Sequence, residues 1–213
     1  MPENLKYVLN GYKNFREKYD VEYKDLFQEL EKGQKPKILI VACSDSRVDP
    51  AIILNCKPGD LFVVRNVANL VPPYNNDGSH HGTSAALEFG ITGLGIKHII
   101  ILGHSSCGGI RALVEGQFNH EKAENFIDKW MEIAKPELQE IIKKYPDQSI
   151  DNQITNCAKL ALTKSLRNLT TFPWIQERIE KRELTIRSWY FNIDSGIIEE
   201  FDDQDGEFKQ LKI

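Results

Sequence analysis

The clearest indication of the fold is the segment Lys37–Cys43, with the sequence KILIVAC. A continuous apolar run of this length is typical of a strand that is buried on both faces. Leu61–Arg65 (LFVVR) and His98–Gly103 (HIIILG) repeat the pattern, and the helix-like stretches Asp49–Leu54 and Thr83–Leu94 separate the three runs. This alternation of strands and helices predicts an α/β fold with a mostly parallel central sheet flanked by helices.

The segments on either side complete this prediction. Residues 1–33 carry apolar side chains at helical spacing and predict an N-terminal helical arm. The stretch 108–168 is largely helical in pattern. Strands over Leu184–Ile193 and Ile197–Phe201, joined by a turn at Asp194–Gly196, predict an antiparallel hairpin at the sheet edge near the C-terminus. We expect the whole chain, arm included, to form a single domain.

Composition excludes several classes of protein. The 213 residues are 41% hydrophobic and 27% charged, which is incompatible with a disordered or low-complexity chain. A net charge of −4 without a basic block argues against a nucleic-acid partner. No apolar run approaches the roughly 20 residues of a membrane-spanning helix, and the N-terminus lacks the pattern of a signal peptide. With four cysteines, these features predict a cytoplasmic protein whose thiols stay reduced, with no membrane partner.

Two of the predicted strands end in polar clusters, Ala42–Arg47 (ACSDSR) and Gly103–Gly109 (GHSSCGG). In parallel sheets, ligands bind at the carboxyl ends of the strands. The clusters supply two thiols, an imidazole and a carboxylate, which are zinc ligands in type and number. The spacing of His104 and Cys107 lets both side chains face a single ion, and Cys43 would approach from the neighbouring strand end.

At this point a family resemblance becomes specific. The two clusters, together with residues 65–69 (RNVAN), closely resemble the β-class carbonic anhydrases. The resemblance is strongest over residues 34–113 and weaker over residues 168–174 and 189–196. It implies a lyase that hydrates CO2 reversibly to bicarbonate and a proton. It also implies a homodimer, often assembled further into tetramers or octamers, with the N-terminal helices embracing the partner subunit.

The resemblance implies that Cys43, His104 and Cys107 bind one Zn²⁺ per subunit, and that Asp45 and Arg47 form a dyad beside it. Zinc held by three protein ligands keeps a position for water and lowers the pKa of that water from about 15.7 toward about 7, so that hydroxide can attack CO2. Asp45 can orient the hydroxide by accepting its hydrogen bond, or can itself bind zinc and close the site. Arg47 would hold the carboxylate ionised and off the metal.

The resemblance also implies a substrate pocket. Phe62, Val67 and Phe89 would line a narrow apolar notch for CO2, and Gln34 would donate a hydrogen bond near the bicarbonate oxygen. Gly108 begins a predicted helix whose free amides could receive a developing oxyanion. Two thiolates balance the charge of Zn²⁺ and the imidazole is neutral, so the formal charge of the site is zero. Such a site should acidify water less than a three-histidine site does, which predicts a more alkaline activity profile.

The branch of the family is indicated by three features. Ile40 stands where the bicarbonate-regulated form carries Trp, and residues 72–74 (PPY) and 82–83 (GT) look like the plant-type branch. Together they predict an open site with water as the fourth zinc ligand, in a chain that we expect to come from a bacterium.

Three other functions would use some of the same residues. A phosphatase with Cys43 as nucleophile is disfavoured, because only three residues separate Cys43 from Arg47 and His104 and Cys107 would have no role. A non-catalytic protein with a structural zinc is disfavoured by Asp45, which argues against a permanently closed site. A CS2 or COS hydrolase on the same scaffold stays open.

Four remaining residues are interpreted structurally. His80 and His81 precede a predicted helix, and we favour helix-capping loop residues over a proton shuttle. Cys56 and Cys157 have no neighbouring ligand types and are predicted to be core thiols.

Overall fold

A mixed sheet of six strands forms the framework of the chain after Lys35. In the computed structural model, which describes residues 2–117 and 125–212, the strands occur in the order β2-β1-β3-β4-β5-β6. The first four are parallel, and β5 and β6 are antiparallel to their neighbours. The predicted α/β class with a C-terminal antiparallel hairpin is therefore confirmed. The strands are β1 (Ile38–Cys43), β2 (Leu61–Asn66), β3 (His98–His104), β4 (Thr185–Phe191), β5 (Ile198–Asp202) and β6 (Glu207–Gln210).

Helices cover this sheet, and proline and polar residues set several of their boundaries. Asp49 caps the first of them by accepting hydrogen bonds from the amides of Ala51 and Ile52. Pro136 and Pro173 lie in the first turns of two others, where a missing amide proton costs nothing. The helices after Lys35 are α3 (Pro50–Ile53), α4 (Gly82–Glu88), α5 (Gly108–Val114), α6 (Phe126–Met131), α7 (Lys135–Lys144), α8 (Ile150–Leu169) and α9 (Pro173–Glu180). Residues 118–124 of the predicted helical stretch lie outside the described residues.

Strands β1 and β3 are the buried centre of the sheet, as their apolar sequences predict. The prediction of burial on both faces is wrong for β2, where exposed and partly buried residues alternate and Val63 is 39% exposed. The reason is position: among the described strands, β2 pairs only with β1 and so lies at a sheet edge. Strand β6 has no counterpart in the sequence prediction.

One glycine lets a helix approach the sheet beside the candidate site. A Cβ atom on Gly103 would lie 2.8 Å from Cδ1 of Leu162 in α8, a distance that real Cβ atoms do not show. The absence of a side chain therefore allows α8 to pack closely against β3, directly before His104.

The first 35 residues form a separate compact unit, Met1–Lys35. It contains α1 (Glu3–Lys18), a π-helical turn (Tyr19–Tyr23) and α2 (Lys24–Glu31), as the predicted arm requires. Neither helix has a fully buried residue, and α1 exposes Tyr7, Val8 and Tyr12. Within the unit, the rings of Phe15, Tyr19, Tyr23 and Phe27 contact one another.

Over residues 2–117 and 125–212, every helix is too short or too polar to traverse a bilayer.

Candidate metal centre

The carboxyl ends of β1 and β3 bring Cys43, His104 and Cys107 together. The strand register pairs Ala42 with Leu102, so that the residues following each lie side by side. The ligand atoms of the three side chains are all within 4.8 Å of one another, and all three residues are buried. In the part of the chain that the structure describes, no other such group of three is found.

The two sulfur atoms have the spacing of metal ligands. Cys43 Sγ and Cys107 Sγ lie 4.0 Å apart and are not joined in a disulfide. Two sulfurs at about 2.3 Å from a tetrahedral zinc ion would be separated by about 3.8 Å, so a metal fits with little movement. A disulfide, by contrast, needs about 2.05 Å between the sulfurs.

The orientation of His104 also suits a metal. Its Nδ1 lies 2.9 Å from the carbonyl oxygen of Ser105, and because a carbonyl only accepts, Nδ1 must carry the proton. Nε2 then presents a lone pair, and this atom is buried without a hydrogen-bond partner among the described residues. Ser105 is itself fixed, since its amide donates to Phe191 O and its Oγ accepts from the amide of Ile193. A buried, unsatisfied ring nitrogen beside two thiols is an arrangement that a metal cation would satisfy.

The two thiols differ in how readily they lose their protons. A hydrogen bond from the Cys107 thiol lowers the pKa of Cys43 well below its ordinary value, and the same interaction, together with burial, raises the pKa of Cys107. Hydrogen bonds from the backbone amides of Ile110 and Gly109 act in the opposite direction on Cys107. One thiolate is therefore favoured before any cation arrives, and a cation would complete the deprotonation of the pair.

Asp45 and Arg47 form the predicted dyad at the edge of this cluster. Arg47 Nε donates to Asp45 Oδ1 at 2.9 Å, and Arg47 Nη2 donates to Oδ2 at 2.6 Å. The Arg47 guanidinium holds the pKa of the Asp45 carboxyl well below its usual range. Asp45 Oδ2 lies 4.0 Å from His104 Nε2, so an ionised carboxylate borders the ligand cluster. Arg47 Nη2 also donates to Ser106 O at 3.0 Å, which joins the two strand-end loops.

Arg65 is a further site residue, for which the sequence predicted no role. Its Nε donates to Cys43 O at 2.9 Å and its Nη2 to Asp45 O at 2.6 Å. Its Nη1 donates to Asp49 Oδ2 at 3.2 Å. One guanidinium thus fixes the backbone that carries a candidate ligand and the neighbouring carboxylate. Its sequence signals were its position at the end of an otherwise apolar strand and its place in residues 65–69 (RNVAN), which carry part of the family resemblance.

The predicted substrate residues fall into separate groups. Val67 lies against the start of α5, because a Cβ atom on Gly109 would be 2.8 Å from Val67 Cγ1. Phe62 and Phe89 contact each other, with ring centroids 6.0 Å apart. The register pairs Phe62 with Leu39, four residues before Cys43, which corresponds to about 13 Å along the strand. Within one chain, therefore, the rings of Phe62 and Phe89 do not lie at the ligand cluster.

The other two predicted substrate residues are placed as follows. Gly108 is the first residue of α5, directly after Cys107. Gln34 is exposed and belongs to the unit Met1–Lys35.

His81 occupies the N-cap position of α4, in agreement with its interpretation as a helix-capping loop residue. Its side chain makes no capping hydrogen bond. Its Nε2 instead lies 2.8 Å from Asp77 Oδ1, because the loop turns that carboxylate back toward the ring. Cys157 is fully buried, as predicted for a core thiol, whereas Cys56 is only partly buried. Burial raises the pKa of Cys157 to about 12, so this thiol stays protonated.

Comparisons with known proteins give the family. The sequence model of the carbonic anhydrase family matches residues 38–198. Beta carbonic anhydrase 3 of Arabidopsis thaliana is 39% identical over 190 residues, which cover 89% of this chain and 73% of the plant protein. The chain belongs to the β-class carbonic anhydrases. Beta carbonic anhydrase 5 of the same plant, a chloroplastic protein, is 35% identical over 89% of this chain, but only 61% of its own length is covered.

Solved structures of this class agree with the fold. The β-carbonic anhydrase CcaA is 32% identical and superimposes with a TM-score of 0.91, over 98% of this chain and all of the other. A tetrameric β-carbonic anhydrase of Sordaria macrospora is 29% identical, with a TM-score of 0.80 over 93% of this chain and 97% of the other. The sheet, the covering helices and the antiparallel C-terminal strands are therefore those of β-carbonic anhydrases.

Proposed function

We propose that this β-carbonic anhydrase hydrates CO2 reversibly to bicarbonate and a proton, with one Zn²⁺ per chain bound by Cys43, His104 and Cys107. The observation that carries the proposal is the unsatisfied Nε2 of His104 beside two free thiols and an ionised carboxylate. Zinc bound there would supply a Lewis acid that makes hydroxide available near neutral pH.

The chain's own residues orient the reaction. Asp45 is ionised and can only accept hydrogen bonds. It would therefore orient a hydroxide or water molecule that donates a hydrogen bond to it next to the ligand cluster. Arg47 occupies both carboxylate oxygens and so opposes movement of Asp45 onto the metal. Gly108 is the first residue of α5, and we propose its amide as the donor for a developing oxyanion.

We further propose that the functional form is a homodimer, which can assemble further into tetramers or octamers. Phe89 is 52% exposed although it is aromatic, and α1 exposes several apolar side chains. Phe62 and Phe89 also lie away from the ligand cluster of their own chain. We propose that the arm, residues 1–33, contacts a second copy, and that Gln34, Phe62 and Phe89 complete the CO2 pocket of that copy. A tetrameric relative in Sordaria macrospora supports self-association.

We also propose a cytoplasmic location, because of the short distance between the two ligand sulfurs. Two ligand sulfurs 4.0 Å apart would be lost to the metal if they were oxidised to a disulfide. A reducing compartment keeps them available.

The test is stopped-flow CO2 hydration by the purified protein, with zinc measured in the same sample. We expect CO2 turnover with about one zinc per chain. In parallel, CS2 and COS are offered and the release of hydrogen sulfide is followed. Tight zinc without CO2 turnover would overturn the proposal, in favour of a structural zinc if all three substrates are inert, or of CS2 or COS hydrolysis if hydrogen sulfide appears.

Arg47→Lys is expected to lower kcat/KM for CO2 by about tenfold, because an ammonium cannot hold both oxygens of Asp45. The matched control is Arg111→Lys. Arg111 also pairs with carboxylates, of Glu115 and Asp151, but it does so at the surface and away from Asp45. The control should stay within about twofold of wild type. Equal effects of the two substitutions would show that the Asp45–Arg47 pair has no special role.

A further inference from the structure

The loop after β2 has an unusual backbone. Val67–Asn69 forms a single 3-10 turn, in which Ala68 has a φ of 61° and Asn69 a φ of 47°. A left-handed φ is unfavourable for Ala68, because its Cβ approaches the backbone carbonyl, whereas Asn tolerates this region more readily. The conformation of Ala68 persists only where the surrounding structure holds it.

Hydrogen bonds from several elements hold the ends of this loop. Asn66 Nδ2 donates to Leu70 O at 2.9 Å and so closes the turn across its base. Val71 is fixed on both sides, since its amide donates to Ser165 Oγ and its carbonyl oxygen accepts from Asn168 Nδ2. These contacts set where the loop leaves β2 and where it continues, but none of them reaches Val67.

Trp130 of α6 supplies the contact to Val67 itself. Its indole Nε1 donates to Val67 O at 2.7 Å across 63 residues of sequence. Both residues line a cavity of about 640 Å³ beside the loop. Among the described side chains, no other donates a hydrogen bond to the Val67 carbonyl oxygen.

The side chain of Val67 packs on the helix start that follows a candidate metal ligand. A Cβ atom on Gly109 would lie only 2.8 Å from Val67 Cγ1. The Val67 side chain therefore approaches the first turn of α5 closely. The sulfur of Met131, the residue after Trp130, would lie 3.5 Å from the same Cβ atom on Gly109. Helix α6 therefore contacts the loop by a hydrogen bond and packs beside it at the start of α5.

We propose that Trp130 is a positioning residue that fixes the Val67 side chain over the start of α5 and so sets the width of the CO2 pocket. This rests on the proposed function, in which Val67 lines that pocket. Trp130 acts through Val67 and need not touch the substrate. Helix α6 would thereby take part in substrate binding, although a tryptophan is not a residue type that carries out the reaction itself.

The first test compares Trp130→Phe with wild type as zinc-loaded enzyme. Phenylalanine keeps an aromatic ring but lacks the N–H donor. We expect KM for CO2 to rise about fivefold, with kcat within about twofold, because a pocket interaction is weakened and the reacting groups are intact. Zinc content should not change. Hydrogen–deuterium exchange of the amides in residues 67–70 should become faster.

The matched control is Trp189→Phe. The indole nitrogen of Trp189 is buried and has no acceptor among the described residues, so the same substitution removes no hydrogen bond. We expect its KM and its exchange at residues 67–70 to equal those of wild type. A similar rise in KM in both variants would overturn the proposal, since it would reflect general loosening of the fold.

A double-mutant cycle separates positioning from general stability. Val67→Ala removes the side chain that Trp130 is proposed to position, so Trp130→Phe should raise KM no further in that background. Independent, multiplicative effects would overturn the proposal. If wild type itself fails to hydrate CO2, the proposed function falls and this role in substrate binding falls with it. If wild type is active and Trp130→Phe leaves KM unchanged, only the role of Trp130 falls.

Discussion

Cys107→Ser is expected to lose zinc and nearly all CO2 hydration. Serine is similar in size but offers a hydroxyl in place of a soft thiolate, so the cluster of Cys43, His104 and Cys107 would keep only two good ligands. We expect zinc affinity to fall by about a hundredfold or more, and kcat/KM by about a thousandfold, the equivalent of several kcal/mol of lost Lewis-acid stabilisation. Metal analysis after dialysis and stopped-flow assays give the two readouts.

Cys56→Ser is the matched control for this substitution. The Cys56 thiol is partly buried and donates only to Leu54 O, at 3.6 Å, a contact that a serine hydroxyl can also make. Zinc content and activity should equal those of wild type. Full zinc binding and activity in Cys107→Ser would exclude Cys107 as a ligand and would contradict the proposed site.

Asp45→Asn is expected to lower kcat/KM for CO2 by about a hundredfold while zinc stays bound. The amide has nearly the shape of the carboxylate, but it is uncharged and presents donor protons at one end. It can neither pair with both nitrogens of Arg47 nor act as a pure acceptor beside the ligand cluster. Losses of this size are usual when a positioned acceptor is removed from an active site.

The pH dependence of this loss follows from the low pKa of Asp45. A carboxyl whose pKa is depressed in the folded protein stays ionised at all pH values above that pKa, and loses its charge only as the pH falls through it. The ratio of wild-type to Asp45→Asn activity should therefore be constant from about pH 6 to pH 9, well above the ordinary carboxyl pKa. A ratio that collapses toward one at about pH 6 would mean that Asp45 titrates there and is not held by Arg47.

Asp151→Asn serves as the control for Asp45→Asn. Asp151 also pairs with an arginine, Arg111, but its side chain is 81% exposed. Its substitution should leave zinc binding and kcat/KM within about twofold of wild type. If Asp45→Asn behaved in the same way, the Asp45–Arg47 pair would be an ordinary surface ion pair.

The sheet was predictable where local sequence and burial coincide. The apolar runs at β1 and β3 gave the correct strands because both are covered on two faces. The same pattern in β2 predicted too much burial, because the position of a strand in the sheet is not encoded in its own composition. Strand β6 was missed for a related reason: it has four residues, begins after an acidic turn, and depends on pairing with β5.

The candidate ligands were predictable because chemistry and topology agree. Parallel strands end at one edge, so the polar residues after β1 and β3 had to lie near each other. Arg65 and Trp130 could not be found in this way. Each acts on backbone carbonyl oxygens, at distances of 20 and 63 residues in the sequence, and a carbonyl is present at every position. Only the folded chain shows which carbonyl oxygen each side chain reaches.

The ligand set is tested most directly by X-ray absorption at the zinc edge of the purified protein. We predict two sulfurs at about 2.3 Å and one imidazole nitrogen at about 2.0–2.1 Å, with one further light atom. The sulfur signal should fall to a single atom in any residual zinc bound by Cys107→Ser. A spectrum of the wild-type protein with no sulfur, or with four sulfurs, would contradict the proposed centre.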